Sequence, residues 1–390
     1  MEKKTVVFGL FFAMILAGIP AIGNADTWRS IAAGNYHTLA VRGDGTLWAW
    51  GRNDTGQLGL GDTRNRSVPT RIGNATNWES VSAGRAHSTA IRTDGSLWAW
   101  GCNCSGKLGD GTTNHRSAPV QIGRETSWRA VSAGGGTVVG RGHTVAISRD
   151  GALWAWGDNS HGQLGNDTTT RRFVPTRIGG ATHWVSISSG DNHTVAITRD
   201  NSIWTWGWNQ DGQLGDGGTA SRATPISIRT GALENWAYVI AGDRHTVAVR
   251  RDGSLWAWGS NEHGQFGDGG SGQGNRRSNP VLIEARRGMD WTTVSAGLRH
   301  TVGIGNDGTL WAWGGNTFGQ LGNGTATDRT TPVRIGMYDG WEIVAAGGSH
   351  TLALRRDGSL WAWGNNEHGQ LGNGGGGSGD RRLVPTRIMP

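Results

Sequence analysis

The sequence predicts an all-β fold, on three observations. Its 390 residues include 68 Gly and only 17% charged residues, a turn-rich composition that suits neither a helical chain nor a disordered acidic one. A Trp-X-Trp-Gly segment recurs seven times, starting at Trp48, Trp98, Trp154, Trp204, Trp256, Trp311 and Trp361, so successive copies stand 50, 56, 50, 52, 55 and 50 residues apart. Around each copy, side chains alternate with the period of a β-strand.

Each element of the repeat has its own justification. A first strand is expected from segments such as Trp78 to Gly84. The second starts at a His, as where Leu352 and Leu354 alternate with Thr351, Ala353 and Arg355. Asp357-Gly358 then supplies the positive backbone angles of a two-residue hairpin turn, and Leu360 to Trp363 runs back as the third strand. The fourth is a segment such as Val68-Pro69-Thr70-Arg71-Ile72, with Pro near its start where a missing donor is tolerated. Trp361 and Trp363 face one way and Leu360 and Ala362 the other, so each unit must be covered on both sides by copies of itself.

Seven four-stranded units of this length are the arithmetic of a seven-bladed β-propeller. An open solenoid would need polar capping repeats, and the sequence shows none. Of the 22 Trp residues, 21 fall three to a unit and read as core; the extra one, Trp208, fills a position held elsewhere by Arg52, Cys102, Asp158, Ser260, Gly315 and Asn365. The first unit begins at Trp28 with no Pro-X-X-Ile segment before it, and the sequence ends on Val384-Pro385-Thr386-Arg387-Ile388. The expectation is that this C-terminal strand joins the first blade and closes the ring, making residues 26–390 a single domain.

Ahead of the repeats, Lys3 and Lys4 precede an apolar run from Val6 to Ile19, then Pro20 and small residues up to Ala25. This pattern reads as a secretory signal peptide, residues 1–25, and the run is short for a membrane span. An exported, extracytoplasmic monomer with no membrane span after removal of that segment is expected. Losing Glu2, Lys3 and Lys4 takes the formal charge from +7 to +6, and Lys107 is then the one Lys left. So modest an excess, with no clustering visible, does not indicate a nucleic-acid partner.

The order Ala-Gly-X-X-His-Thr, the Asp-Gly turn, Leu-Trp-Ala-Trp-Gly-X-Asn and Gly-Gln-Leu-Gly-X-Gly resembles the regulator of chromosome condensation repeat family, from Trp28 to Ile388. The resemblance implies the propeller fold. It also implies that residues in and around the His motif form a partner-binding face, since nucleotide-exchange members bind a small GTPase there and open it with a projecting β-wedge. Carried over, the candidate partner-binding residues are His37, His87, His143, His193, His245, His300 and His350, with Tyr36, Arg85, Arg141, Asp191, Asp243, Arg244 and Arg299 just before them. Trp208 is added as the Trp outside the repeat. The plainer reading of the histidines is that each imidazole bonds neighbouring backbone and locks the turn after Ala-Gly.

Three features stand outside this scheme. The third unit carries extra residues from Gly135 to Gly142, read as a surface insertion, with a wedge as the alternative. One Arg per unit (Arg66, Arg116, Arg172, Arg222, Arg277, Arg329 and Arg382) precedes the fourth strand and is expected to bond loop carbonyls or a carboxylate rather than form a phosphate patch. Cys102 and Cys104 are either a local disulfide or two free thiols, and a thiolate pair alone is insufficient for a metal.

No His-Glu-X-X-His, Gly-X-Ser-X-Gly, P-loop or EF-hand pattern occurs, and the titratable groups sit mostly at repeat positions. A non-enzyme without cofactor or metal is expected, since an active site gathers unlike groups at one point. The function expected is an exported scaffold that binds a protein or other macromolecule through loops on one face. The alternative is a guanine-nucleotide exchange factor for a small GTPase, and a third reading, a carbohydrate-binding propeller, rests on the Trp content.

Overall fold

The computed structural model describes residues 27–135, 140–229, 235–284 and 289–389. The proposed signal peptide and residues 136–139, half of the Gly135 to Gly142 insertion with its wedge reading, lie outside the described residues.

In the first blade, β1 (Trp28–Ala33), β2 (His37–Arg42), β3 (Leu47–Gly51) and β4 (Arg66–Arg71) pair antiparallel in that order. Six more blades, starting at Trp78, Trp128, Trp184, Trp236, Trp291 and Trp341, repeat the order, giving the seven-bladed all-β propeller that the sequence predicts. The first strand of every blade faces a central channel lined by small residues such as Ser30, Ala32, Ser80, Ser82, Ser132 and Ser295. The fourth strand is outermost and partly exposed. No helix among the described residues is long and apolar enough to cross a membrane.

Apolar residues on both faces of a hairpin produce cores between blades. Leu39, Val41, Leu47, Ala49, Leu58 and Ile72 of the first blade pack against Trp78, Val81, Ala90 and Trp100 of the second. Edge-to-face contacts stiffen this wall, with Trp78 standing 5.9 Å from Trp98 and 6.3 Å from Trp100.

Two expectations are corrected. The hairpin turn is longer than two residues: Gly45 donates its amide to the Arg42 carbonyl, Gly43 and Asp44 are the central residues, and only Gly45 is left-handed, at φ +78°. Asp44 acts through its carboxylate, which accepts the Thr46 amide at 2.9 Å and the Thr46 hydroxyl at 2.6 Å. In the fourth blade Asn201, at φ 64°, takes the glycine's place.

The second correction concerns closure. The C-terminal strand Arg381–Arg387 pairs with Leu360–Asn365 and completes the seventh blade, so the ring closes without an exchanged strand. Side-by-side packing closes it instead: Trp28, Ala40 and Trp50 share one core with Leu352, Leu354, Leu360, Leu371 and Ile388. The Gly374 amide also donates to the Ser67 carbonyl at 2.9 Å across the seam. The loop after Trp-Gly explains why each unit keeps its own fourth strand. Buried Asn53 accepts the Leu58 amide at 2.9 Å and donates to the Asp62 carbonyl at 3.0 Å, folding the segment back on its own sheet.

Candidate partner-binding rim

At one end of the ring, every blade contributes the turn before its His, the bend after its Trp-Gly, and the loop beyond it, Asn-X-X-Gly-Gln in six blades and Asn-X-X-Gly-Lys in the second. These three meet at each blade junction, and the His motif is what joins them.

The imidazoles are wholly buried, and each reaches into the next blade. Nε2 of His37, His87, His143, His193, His245 and His300 lies 2.9, 3.1, 2.9, 3.2, 3.3 and 3.0 Å from the hydroxyl of Ser88, Thr144, Thr194, Thr246, Thr301 and Thr351. His350 closes the circle on Thr38 at 3.2 Å. Each hydroxyl donates its own proton to a carbonyl in the preceding blade, as Thr38 does to Gln370 and Thr194 to Gln163, both at 2.8 Å. A hydroxyl has one proton to give, so toward the imidazole it must accept. Every ring therefore carries a proton on Nε2, and Nδ1 finds no partner among the described residues.

Burial keeps the rings neutral. It pulls His37, His143 and His245 down to about 4 and His193, His300 and His350 to about 3. His87 is lowered well below its ordinary value, first by burial and then by the Lys107 charge. The Ala-Gly glycine leaves room for the ring: a Cβ on Gly34 would stand 2.4 Å from His37 Cε1. The carbonyl that accepts the hydroxyl, of Gln in five junctions and of Lys107 in a sixth, receives a second donor, as where Trp206 Nε1 donates to Gln163 at 2.9 Å.

The circuit makes a prediction. Thr194→Val leaves the His143 Nε2 proton buried without an acceptor and should cost about 1 to 3 kcal/mol. Thr194→Ser should be near neutral, because Ser88 already does this work. Urea unfolding midpoints of the two variants check it, and equal midpoints would show the bond to be dispensable.

These positions revise the site. The seven histidines have no surface to offer a partner, and the neighbouring-backbone reading is corrected too, since the partner is a hydroxyl some fifty residues away. Asp191 and Asp243 are nearly buried, at 4% and 7% exposure, beside Asn35 at the mouth of the channel. Burial first, then the Asp191 carboxylate, raises the Asp243 carboxyl. Tyr36, Arg85, Arg141 and Trp208 are half-buried on the rim, and Arg244 and Arg299 are exposed.

Two clusters form there. Arg244 lies 5.2 Å over the Trp208 ring and 3.9 Å from Asp211, while His161 packs tilted against Trp208 at 6.1 Å and meets Arg141 at 3.3 Å. Across the seam, Tyr36 sits 5.3 Å from His368 and under the Arg52 guanidinium at 5.5 Å. Sequence reasoning missed His161, Asp211 and His368, although the two positions after the loop Asn vary between units, only Glu-His occurring twice, which was the available signal.

Elsewhere, four of the seven loop arginines pair with a carboxylate as expected: Arg66, Arg116, Arg222 and Arg382 meet Asp62, Asp110, Asp216 and Asp380 at 2.6 to 2.9 Å. The half-buried indoles Trp48, Trp98 and Trp256 are each covered by an Arg guanidinium at 4.0 to 4.4 Å.

Comparison with known proteins agrees with the fold. Residues 137–390 match the RCC1-like domain, and residues 44–91 and 94–147 match the regulator of chromosome condensation (RCC1) repeat. The sequence is 32% identical over 309 residues to the ultraviolet-B receptor UVR8 of Arabidopsis thaliana, covering 79% of this chain and 57% of that protein. It is 36% identical over 97 residues to the protein RCC2 homolog of Xenopus laevis, covering 25% of this chain and 18% of that one. The chain thus spans little more than half of the first relative and a smaller part of the second. Among solved structures, Prp20p of Saccharomyces cerevisiae superposes with a TM-score of 0.77 at 22% identity, covering 94% of this chain and 87% of that one. Human WBSCR16 gives 0.76 at 21%, covering 88% and 94%. At these identities the two structures speak for the fold alone.

Proposed function

Because the chain belongs to the regulator of chromosome condensation (RCC1) repeat family, we propose that it is a non-catalytic propeller scaffold, exported from the cytoplasm, that grips a protein partner through this rim. The observation that carries the reading is the contrast within each junction. Buried positions repeat from blade to blade, while the rim positions beside them differ, so a rigid ring displays a surface with no sevenfold symmetry.

The cluster of Trp208, Arg244, His161 and Asp211 spans three blades and pairs an aromatic platform with a guanidinium, the combination that dominates protein contact energies. Tyr36 with Arg52 and His368 forms a second anchor. The carbohydrate reading is weakened, because three of the half-buried indoles that would stack on a sugar, Trp48, Trp98 and Trp256, are already covered by arginines. Prp20p is described as having binding properties to Gsp1p and histones, and nothing on this rim singles out such partners.

The test is affinity capture from the extracytoplasmic fraction of the native cells, comparing the wild type with the variant Tyr36→Ser, Trp208→Ser, Arg244→Ser at matched melting temperature. One partner retained by the wild type and lost by the variant is the expected result. The same partner bound equally by both would overturn the rim assignment, and stimulated release of GDP from a small GTPase would replace the scaffold reading with nucleotide exchange.

A further inference from the structure

One place on the rim breaks the repeat in its chemistry. In the second blade the bend after Trp-Gly carries Cys102 and Cys104, the Gly-Gln position holds Lys107 where the other six units have Gln, and the loop beyond carries His115. Cys102 is buried at 2%, and Cys104 is exposed. Their sulfurs lie 3.2 Å apart, because the chain bends here instead of continuing as a strand.

His115 decides between two chemistries. Its Nε2 lies 3.8 Å from Cys104 Sγ, and the three side chains together have the spacing of a soft-metal site. Its Nδ1, however, faces the Asn103 amide at 3.0 Å. The repeat supplies that amide in other blades too: the corresponding N–H of Asn53 donates to Asn65 Oδ1 at 2.8 Å, and that of Asn316 to Asp328 Oδ1 at 2.7 Å. His115 has taken over a position that must accept, so the lone pair is on Nδ1 and the proton on Nε2. A protonated Nε2 cannot ligate a metal; it donates to sulfur.

From this geometry we infer that Cys102 and Cys104 form a reversible disulfide by thiol–disulfide exchange with an external disulfide, entered at the exposed Cys104, whose thiolate the His115 Nε2–H stabilises. The Cys104 thiol gives its proton to solvent, and the thiolate attacks one sulfur of the external disulfide, releasing one thiol. Cys102, losing its proton in turn, attacks Cys104 Sγ and expels the second thiol, so two protein thiols are oxidised and one external disulfide is reduced. Burial, and after it the Cys102 sulfur, raises the Cys104 thiol above its ordinary value, so the His115 proton acts against that shift.

The experiment uses the full reduced chain and oxidised glutathione. The wild type should lose the mass of two hydrogen atoms, retain no glutathione and become inert to maleimide, and dithiothreitol should reverse all three. Cys102→Ser should trap one glutathione on Cys104, and Cys104→Ser should stay unmodified over the same time. His115→Asn copies the first blade's Asn65, keeping the backbone bond while removing the proton aimed at sulfur, and should slow closure by about tenfold at unchanged melting temperature. Thiols that remain alkylatable under excess oxidant, or a wild type that keeps its glutathione, would overturn the proposal. So would a one-to-one Zn²⁺ complex that requires His115.

Discussion

Lowering the pH from 7 towards 5 should unfold the propeller in one cooperative step. Six imidazoles of the circuit are neutral in the folded chain down to about 4 or about 3, and burial lowers the seventh, His87, well below its ordinary value, whereas an unfolded His takes up its proton near 6.5. Between those values the unfolded state binds more protons, so stability rises with pH across the window. It is fully present above 6.5 and is lost as pH falls toward the folded values. Seven such groups give a limiting slope of about 10 kcal/mol per pH unit, against a total stability on the order of 5 to 15 kcal/mol. Asp243 opposes this, since its raised carboxyl binds a proton in the folded state first, but it is one group against seven. Tryptophan fluorescence followed by acid titration checks the result. Retention of the native signal at pH 4 would mean that the imidazoles are not buried neutral.

Gly207→Ala should cost about 3 to 5 kcal/mol, which is a large effect for one methyl group. Gly207 ends its strand at φ +102°, and a Cβ there would lie 2.5 Å from the Asn192 carbonyl oxygen, 2.8 Å from His193 Cα and 3.2 Å from Gln163 Cα. All three are backbone atoms, so no side-chain rotation relieves them, and they belong to two blades. Gly180→Ala is the control: its backbone is not left-handed and nothing stands within 4 Å of the added carbon, so the change should fall within about 0.5 kcal/mol. Guanidinium unfolding midpoints of the two variants should differ widely. Equal midpoints would show that the blade junction tolerates displacement.

The ring was readable because its cause is local. Trp-X-Trp alternation, a hairpin apolar on both faces and a fifty-residue period are all properties of contiguous residues. Closure was misread because a repeating sequence can be cut anywhere. Whether Pro-X-X-Ile finishes its own blade or begins a neighbour's depends on how the Asn53 loop folds back, and that is a matter of buried hydrogen bonds. The histidines were given the wrong partner, since the hydroxyl each one needs lies a whole unit away. The recurring His-Thr pair, with His-Ser once, held the clue: one residue donates and the next accepts. The cluster around Trp208 draws its members from three blades, so no reading along one repeat assembles it.

A continuous circle of neutral imidazoles and hydroxyls ties the last blade to the first, and ring-nitrogen NMR on ¹⁵N-histidine protein probes that circle without an intermediary. Of the 12 histidines, seven should appear as the Nε2-protonated neutral tautomer and keep those shifts as the pH falls until the protein unfolds. Seven rings carrying the proton on Nδ1, or titrating individually near 6.5 in a folded protein, would contradict it.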